Sequence, residues 1–403
     1  LSVSDAGDVN GDGFGDILIG APNGDGLAGA ETGETYVVFG LAAGFGATVN
    51  LSTLTGANGF RIDGRVNYDI SGYSVSSAGD INGDGISDIL IGAYAANSNY
   101  GEAYVVFGST AGFAATINLN GLTGANGFTL AYSAAPYSGS NFARSVSNIG
   151  DINGDGIDDI ALGAPTTYAS AGKTFILFGT DAGFAASVDV SALDGADGFI
   201  VNGVDIGENN GASVSGAGDI NGDGFDDFIV GAYRANNSAG GLNVGESYVV
   251  FGSGAGFAAT FELSSIDGTN GFRIDGLGIN DYSGKPVSGA GDINGDGFDD
   301  ILVGAYRADV AGLPDAGETY VIFGFNSGAV TAEGTNAADT LTGSGAVDVI
   351  VGGQGDDVLV GAGGADALRG GEGDDILDVA DVGFQRVVGG FGQGVLNLRD
   401  GDA

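Results

Sequence analysis

Five acidic segments of nine residues contain the side chains best suited to chemistry. Each segment has a carboxylate at positions 1, 5 and 9, an Asn at position 3 and a Gly at position 6. The backbone carbonyl of position 7 adds a further oxygen. Hard oxygen donors select Ca²⁺ over zinc or copper, and a cage made wholly by the protein suits Ca²⁺ better than Mg²⁺. We therefore predict one Ca²⁺ per segment. The predicted ligands, segment by segment, are Asp8, Asn10, Asp12, Phe14 and Asp16; Asp80, Asn82, Asp84, Ile86 and Asp88; Asp151, Asn153, Asp155, Ile157 and Asp159; Asp219, Asn221, Asp223, Phe225 and Asp227; and Asp292, Asn294, Asp296, Phe298 and Asp300.

The oxygen pattern of these segments matches the first nine positions of an EF-hand loop. Position 12, however, is apolar in every copy, where an EF-hand has a bidentate Glu. A strand-like run follows each segment, so we expect hairpin loops with an EF-hand-like beginning. The alternative is a set of ordinary turns, because Asn-Gly and Asp-Gly are common in hairpins. Five copies that each bring together three mutually repelling carboxylates argue against ordinary turns.

A second acidic pattern repeats every nine residues from 334 to 378. Its sixth position is always Asp and its eighth is always aliphatic, as in the nonapeptide of calcium-binding parallel β-rolls. We predict Ca²⁺ ligands at the sixth positions, and aliphatic side chains that stack inside the roll. The alternative is a flexible Gly-rich tail. The predicted ligands are Asp339, Asp348, Asp357, Asp366 and Asp375.

Composition narrows the class of function. The 403 residues include 52 acidic and 11 basic side chains, which gives a net charge of −41. That charge argues against nucleic acid as a partner, and no apolar run is long enough to predict insertion into a membrane. The chain has no His and no Cys, so the commonest general base and the thiol nucleophile are absent. We expect a protein that is not an enzyme.

The elements that carry the acidic segments recur every 68–73 residues. Each unit contains short β-branched and aromatic runs separated by turn residues, which are typical of strands. A four-stranded unit of this length predicts one blade of an all-β propeller; a β-solenoid or separate small sandwiches are the alternatives. We place a propeller at 1–330, a short parallel β-roll at 331–383, and a cap or tail at 384–403.

The long repeat resembles the FG-GAP repeat of integrin α-subunit propellers. The resemblance rests on Phe39-Gly40 and its copies, on Gly20-Ala21-Pro22 and Gly163-Ala164-Pro165, and on the acidic loops. It implies a seven-bladed ring with Ca²⁺ loops on the face opposite the usual ligand-binding loops. Five units are visible, and the fifth stops after its third strand, so we expect a further blade before Leu1.

Residues 334–378 resemble the RTX, or haemolysin-type, calcium-binding repeat. That family implies bacterial type I secretion and folding in extracellular Ca²⁺. Together the two resemblances predict a secreted calcium-binding surface or matrix protein that acts as an adhesion or structural module. The alternatives are a lectin-like propeller that binds carbohydrate and the non-catalytic part of a larger secreted hydrolase or lyase.

The loops that vary between units are candidates for contacts with an extracellular glycan, with a protein ligand, or with further copies of the chain. Arg234 and Arg307 are scarce cations in an acidic protein. They could contact an anionic ligand such as a sugar acid, but ion pairs with nearby carboxylates are the simpler interpretation. Four tyrosines could stack on sugars or fill gaps between blades: Tyr68, Tyr100, Tyr132 and Tyr137.

Overall fold

The computed structural model describes residues 2–26, 29–133, 139–236, 241–379, 384–389 and 395–398. Within these ranges the chain is almost entirely β-sheet, as predicted. Helical structure is limited to α1 (Ala96–Asn99), α2 (Thr167–Ser170) and four 3₁₀ turns at Leu51–Thr53, Leu119–Gly121, Val190–Ala192 and Leu263–Ser265. None of the described helices is long and apolar enough to cross a membrane.

Twenty-two strands build five mainly antiparallel sheets, which we call blades 1 to 5. In chain order they are β1 (Ser2–Gly7), β2 (Asp16–Ala21), β3 (Glu34–Val38), β4 (Gly59–Asp63), β5 (Ser74–Gly79), β6 (Asp88–Ala93), β7 (Glu102–Val106), β8 (Thr116–Asn118), β9 (Gly127–Ala131), β10 (Ser145–Gly150), β11 (Asp159–Ala164), β12 (Lys173–Leu177), β13 (Ser187–Asp189), β14 (Gly198–Asn202), β15 (Ser213–Gly218), β16 (Asp227–Ala232), β17 (Glu246–Val250), β18 (Thr260–Glu262), β19 (Gly271–Asp275), β20 (Ser283–Gly291), β21 (Asp300–Ala305) and β22 (Glu318–Ile322).

Each of blades 1 to 4 is a meander of four strands, such as β1-β2-β3-β4, and blade 5 contains the three strands β20-β21-β22. The first strands of successive blades, β1, β5, β10, β15 and β20, pack side by side. This arrangement confirms the predicted FG-GAP-type propeller blades. It also puts every turn between a first and a second strand at the same end of the blades, because each of these pairs is an antiparallel hairpin.

A fifth, short strand was not predicted. The connection between the third and fourth strands of one unit adds a parallel strand to the outer edge of the preceding blade: β8 pairs with β4, β13 with β9, and β18 with β14. An unpaired edge strand is a site for unwanted association. The three added strands cover such edges on blades 1 to 3.

The hydrophobic core lies between successive blades and follows from strand alternation. Neighbouring residues on a strand point to opposite faces. Ile89 and Ile91 of β6 therefore pack toward blade 1, while Leu90 packs toward blade 3. The second strands of blades 2 to 4 are buried along their whole length because both of their faces meet a neighbouring blade.

In blades 1 to 4 the Phe of the Phe-Gly motif joins a three-ring cluster. In the first cluster, the Phe39 ring contacts those of Phe60 and Phe113, and Phe60 and Phe113 stack with centroids 4.2 Å apart. Phe113 comes from the following unit, just before the strand β8. The Phe-Gly motif thus fastens one blade to the connection that covers its edge.

The C-terminal region is a roll of two parallel sheets, which confirms the predicted second fold. One sheet contains β23 (Ala332–Glu333), β25 (Val349–Gln354), β27 (Ala367–Glu372) and β29 (Arg386–Val388). The other contains β24 (Thr340–Thr342), β26 (Val358–Val360), β28 (Ile376–Val379) and β30 (Val395–Leu398). The strands β29 and β30 extend both sheets beyond the last Gly-rich nonapeptide. Ile350, Leu359, Leu368 and Leu377 form the buried core of the roll, as their eighth positions predict.

Candidate metal centres

The five acidic segments form the turns between the first and second strands of the blades. Their backbone folds around the predicted ligand side chains. In every loop the N–H of position 5 donates to Oδ1 of the position 1 Asp at 2.9–3.1 Å. The N–H of position 6 donates to the other oxygen of the same carboxylate at 2.7–2.8 Å. The Asp at position 5 accepts the N–H of position 7 at 3.0 Å.

The Asn at position 3 joins the same arrangement in four loops. In the first loop, Oδ1 of Asn10 accepts the N–H of Asp12, which also donates to Asp8. The equivalent contact is present in the second, third and fifth loops. The structure thus brings positions 1, 3 and 5 together around one N–H. In the fourth loop, Oδ1 of Asn221 is buried and accepts no hydrogen bond within the described structure.

The Asp at position 9 points toward the Phe-Gly motif, a contact that the sequence did not predict. Its Oδ1 accepts the N–H of the motif's Gly at 2.7–2.9 Å in all five blades. In four loops its Oδ2 accepts the N–H of position 2. All five side chains are buried. Burial raises the pKa of the Asp16 carboxyl to about 6 and that of Asp88 to about 8.

The Gly of the Phe-Gly motif is required by close packing against the loop. A Cβ on Gly40 would lie 2.4 Å from the carbonyl oxygen of Gly15 and 2.8 Å from Cβ of Phe14. Backbone atoms cannot move away from such a clash without disturbing the loop. The motif therefore has two parts with separate roles: in blades 1 to 4 its Phe packs against other rings, and in all five blades its Gly binds the position 9 carboxylate.

Position 8 links each loop to the previous one. The N–H of Asp80 donates to Asp158 at 2.8 Å, that of Asp151 to Asp226 at 3.0 Å, and that of Asp219 to Asp299 at 2.9 Å. In the first pair, Ser87 accepts from the N–H of Asp8. Sequence reasoning missed this role, although the Asp-Asp pairs at positions 8 and 9 of the last three loops were a visible signal. The five loops form one hydrogen-bonded series across the blades.

The carboxylates do not all converge in this structure. No group of three or more acidic side chains among the described residues lies close enough to hold a metal ion by itself. The donor set of positions 1, 3 and 5 with the carbonyl of position 7 consists only of hard oxygens, and it fits Ca²⁺ in chemistry. The position 9 Asp is turned to the backbone, so in four loops a contribution to an ion would need a second lone pair on an oxygen already hydrogen-bonded. In the second loop, Oδ2 of Asp88 accepts no hydrogen bond among the described residues.

In the roll, the predicted ligands form two ladders. The N–H of Asp339 donates to Asp357 at 2.7 Å, and the N–H of Asp357 donates to Asp375 at 2.9 Å. The N–H of Asp348 donates to Asp366 at 2.9 Å. The partners are 18 residues apart, which is two nonapeptides and one full turn of the roll. The repeat thus stacks one carboxylate above the next on each side.

The roll also offers carboxylate oxygens that lack a hydrogen-bond donor. Oδ2 of Asp357 and Oδ2 of Asp375 are buried and accept no hydrogen bond among the described residues. Burial raises the pKa of both carboxyls. A Cβ on Gly352 would lie 2.5 Å from Oδ2 of Asp357, so glycine is what leaves room beside that oxygen. A cation would satisfy these oxygens and favour the ionised form, so the residues present fit Ca²⁺.

The roll packs on the loop end of blades 4 and 5. The guanidinium of Arg369 lies 2.9 Å from Asp219 and 3.2 Å from Asp299, and Arg386 pairs with Asp226. Nε2 of Gln354 donates to the carbonyl of Asn294 at 3.0 Å. The fourth loop is consequently buried beneath the roll, which the sequence did not predict.

The residues proposed for ligand contacts have mixed outcomes. Tyr132 is buried and packs against Phe142 and Phe175, so it fills the core. Tyr68 is exposed, Tyr100 is half-buried, and Tyr137 lies outside the described residues. The expected ion pairs are wrong for Arg234 and Arg307: neither pairs with a carboxylate in the described ranges. Both stack on tyrosine rings instead.

Comparison with protein families supports both repeats. The FG-GAP repeat model matches residues 2–38, 71–106, 142–177, 210–250 and 287–322. The model of the RTX calcium-binding nonapeptide repeat (four copies) matches residues 333–368 and 342–377. Each FG-GAP match ends with the third strand of a blade, and the RTX matches lie within the roll.

Curated relatives of the chain are integrin α subunits. Integrin alpha pat-2 of Caenorhabditis elegans is 30% identical over 264 residues, which is 61% of this chain and 18% of that protein. Integrin alpha-PS2 of Drosophila melanogaster is 30% identical over 57% of this chain and 15% of its own length. Integrin alpha-V of Gallus gallus is 29% identical over 60% of this chain and 20% of its own length. The chain thus spans a fifth or less of these relatives.

Proposed function

We propose that this chain, which contains five FG-GAP repeats followed by RTX calcium-binding nonapeptide repeats, is a secreted module that Ca²⁺ folds and stabilises. Both repeats are of calcium-binding types, and they favour an extracellular or surface location. Within that class we propose a bacterial surface or matrix protein, exported by a type I system, that acts in adhesion or as a structural element. It binds rather than catalyses.

The main support for this proposal is that the chain buries carboxylate oxygens that have no matching positive charge. The roll buries Oδ2 of Asp357 and Asp375 with no hydrogen-bond donor among the described residues. The five loops add repeated sets of carboxylate, amide and carbonyl oxygens. With a net charge of −41, repulsion between carboxylates opposes the compact state until cations bind. Since the ladders do not exist in the unfolded chain, Ca²⁺ binding and folding of the roll are coupled.

Adhesion or structural assembly is supported by the blade architecture and by the relatives. Propellers present variable loops on a rigid frame, and function resides in those loops. The integrin α relatives match over 61% and 60% of the chain. Catalysis is disfavoured because most Asp side chains of the loops are already engaged by backbone N–H groups.

Sedimentation velocity in millimolar Ca²⁺ and in EDTA, at fixed ionic strength and with Mg²⁺ as a control, tests the proposal. We expect a compact species in Ca²⁺ and an expanded one in EDTA, with Mg²⁺ close to EDTA. A circular dichroism melt on the same samples should show the higher Tm in Ca²⁺. Growth into large species only in Ca²⁺ would favour the structural role over a monomeric adhesion module. Identical sedimentation and melting in all three buffers would remove calcium from the proposal.

A further inference from the structure

Opposite the acidic loops, the blades carry a cluster of cations and tyrosines. The acidic loops join the C-terminal end of each first strand to the N-terminal end of the second. Arg144 and Lys285 lie at the N-terminal ends of first strands, and Arg234 and Arg307 follow the C-terminal ends of second strands. Because first and second strands are antiparallel, all four positions lie at the end opposite the Ca²⁺ loops.

These four cations lack carboxylate partners, which is unusual in so acidic a chain. Arg61, Arg65, Arg273, Arg369 and Arg386 each form an ion pair. Arg144, Arg234, Lys285 and Arg307 form none with any described residue. A cation that stabilises the fold of an acidic protein ordinarily forms an ion pair with a carboxylate of the same chain. Their charges are therefore available to something outside the chain.

Tyrosine rings hold the cations in place. Nζ of Lys285 lies 4.6 Å from the centre of the Tyr233 ring and 5.9 Å from that of Tyr306. The guanidinium of Arg234 lies 5.5 Å from the Tyr233 ring, and that of Arg307 lies 5.8 Å from the Tyr306 ring. Cation–π contacts at such distances orient a charge without neutralising it. The cluster is thus preorganised and still positive.

The charges also lie close to one another. Burial lowers the pKa of the Lys285 ammonium, and the charges of Arg144 and Arg234 lower it further. Arg234 and Lys285 share the Tyr233 ring, and Lys285 and Arg307 share the Tyr306 ring. Cations from blades 4 and 5 therefore converge, although like charges repel. Convergence of this kind is stabilised when an anion binds between the charges.

We infer that this cation–tyrosine cluster, defined by Arg234, Lys285, Arg307, Tyr233 and Tyr306, is a binding site for a sugar that carries a carboxylate. Guanidinium groups bind carboxylates through two parallel hydrogen bonds, and an ammonium adds a point charge. Tyr306 is 44% exposed, so its ring offers an amphipathic face against which the C–H face of a pyranose packs.

The negative charge of the rest of the protein limits the size of the anionic partner. A long polyanion would extend beyond the cluster, where a chain of net charge −41 repels it. A single uronic acid, at the end of a glycan or between neutral sugars, avoids this repulsion. Its one carboxylate can lie among the cations while the rings of the neighbouring neutral sugars pack on tyrosine. This ligand class extends the proposed function, but it does not depend on Ca²⁺ at the opposite end of the blades.

Ligand-observed NMR titration of the full chain tests the inference, with methyl glucuronide as the probe and methyl glucoside as its neutral match. Both are titrated at fixed Ca²⁺ and salt, and a blank without protein corrects for binding of Ca²⁺ by the glucuronide. We expect the glucuronide to bind. The glucoside should bind at least ~10-fold more weakly, because without the carboxylate it loses one charge-assisted hydrogen bond.

Two variants with matched charge changes assign the binding to the cluster. R234Q/R307Q changes exposed side chains and should weaken glucuronide binding by ~10-fold or more. R273Q/R61Q makes the same change in net charge in outer-strand ion pairs, and should leave binding unchanged. K285Q provides a second test within the cluster, with a melt to verify folding.

The inference is overturned if the glucuronide does not bind, if the glucoside binds equally well, or if both double variants behave alike. If N-acetyl-aspartate bound more tightly than the glucuronide, the ligand would be an acidic peptide and not a sugar, which would also overturn the inference. Each of these failures leaves the calcium proposal intact, because the effect of Ca²⁺ on Tm is measured independently on the same samples.

Discussion

Arg369 of the roll places its guanidinium 2.9 Å from the carboxylate of Asp219, the first residue of the fourth acidic loop. Both side chains are almost wholly buried, with exposed fractions of 5% and 0%. The same guanidinium reaches Asp299 of blade 5. An arginine of the roll and a cation in the loop would therefore act on the same carboxylate. The roll is joined to the blades through their candidate calcium loops.

The first prediction concerns this contact. Replacing Arg369 with Gln leaves the buried Asp219 without its positive partner, and breaking a buried ion pair costs about 3–5 kcal/mol. We expect R369Q to lose about that much free energy of unfolding in EDTA, and less in Ca²⁺, because a divalent ion in the fourth loop compensates the same carboxylate. Chemical denaturation in both buffers measures the difference.

The matched control is R273Q, which removes a half-exposed guanidinium from Glu246 and Asp275. Such exposed pairs are worth about 1 kcal/mol or less, and this loss should be the same with and without Ca²⁺. An R369Q deficit that does not change with Ca²⁺ would show that arginine and metal do not share Asp219.

The second prediction assigns a ligand within the loops. Asp84→Asn retains Oδ1, which accepts the N–H of Ile86 at 3.0 Å, so the loop keeps its fold while one ligand loses its charge. We expect equilibrium dialysis with atomic emission to find about one Ca²⁺ fewer per chain. Asp194→Asn, whose carboxylate accepts the N–H of Ala196 outside the loops, should bind as many ions as the unchanged chain. Equal Ca²⁺ content in both variants would exclude Asp84 as a ligand.

Much of the fold could be predicted because it is repeated. An unbroken apolar run such as Ile89-Leu90-Ile91 indicates a strand buried on both faces, and five registered copies indicate blades. The eighth positions of the nonapeptides, such as Leu359 and Leu368, predicted the core of the roll for the same reason. A periodic sequence specifies contacts between equivalent positions, and these are the contacts that the structure contains.

The contacts that link unlike segments were not predictable from the pattern. Arg369 and Asp219 come from different repeats and meet only because the roll packs on blades 4 and 5. The position 9 Asp was predicted as a metal ligand, yet it binds the Gly of the Phe-Gly motif about 20 residues later, for example Asp88 and Gly108. Its residue type suits both roles, and only tertiary packing shows which hydrogen bond is made.

The third prediction is a pH dependence that arises from Glu208. Burial raises the pKa of this carboxyl from 4.5 to about 7, and its oxygen accepts the N–H of Asp205 at 3.0 Å. A carboxyl with a raised pKa in the folded state contributes full stability below pH ~4.5, and that contribution is lost as the pH rises to ~7. E208Q removes the titration, so above pH ~7 it should be more stable than the unchanged chain by on the order of 3 kcal/mol.

Denaturation curves from pH ~4.5 to ~8 in saturating Ca²⁺ measure this effect. The difference in free energy of unfolding between E208Q and the unchanged chain should grow as the pH rises. E31Q makes the same substitution at an exposed glutamate and serves as the control. A constant difference for E208Q would mean that the pKa of Glu208 is not raised in the folded chain.

The last prediction separates two glycines of the roll. A Cβ on Gly352 would lie 2.5 Å from Oδ2 of Asp357 and 2.4 Å from the carbonyl oxygen of Gly370, whereas a Cβ on Gly345 would meet nothing within 4 Å. G352A should therefore destabilise the roll by about 1–3 kcal/mol through overpacking. It should also weaken Ca²⁺ binding, because the methyl group crowds the oxygen of Asp357 that lacks a hydrogen-bond donor. G345A should be neutral, or should stabilise the chain by about 0.4–1 kcal/mol, because alanine lowers the conformational entropy of the unfolded chain. Ca²⁺ titrations followed by circular dichroism compare the two variants. Equal midpoints for G352A and G345A would show that Ca²⁺ does not bind beside Asp357.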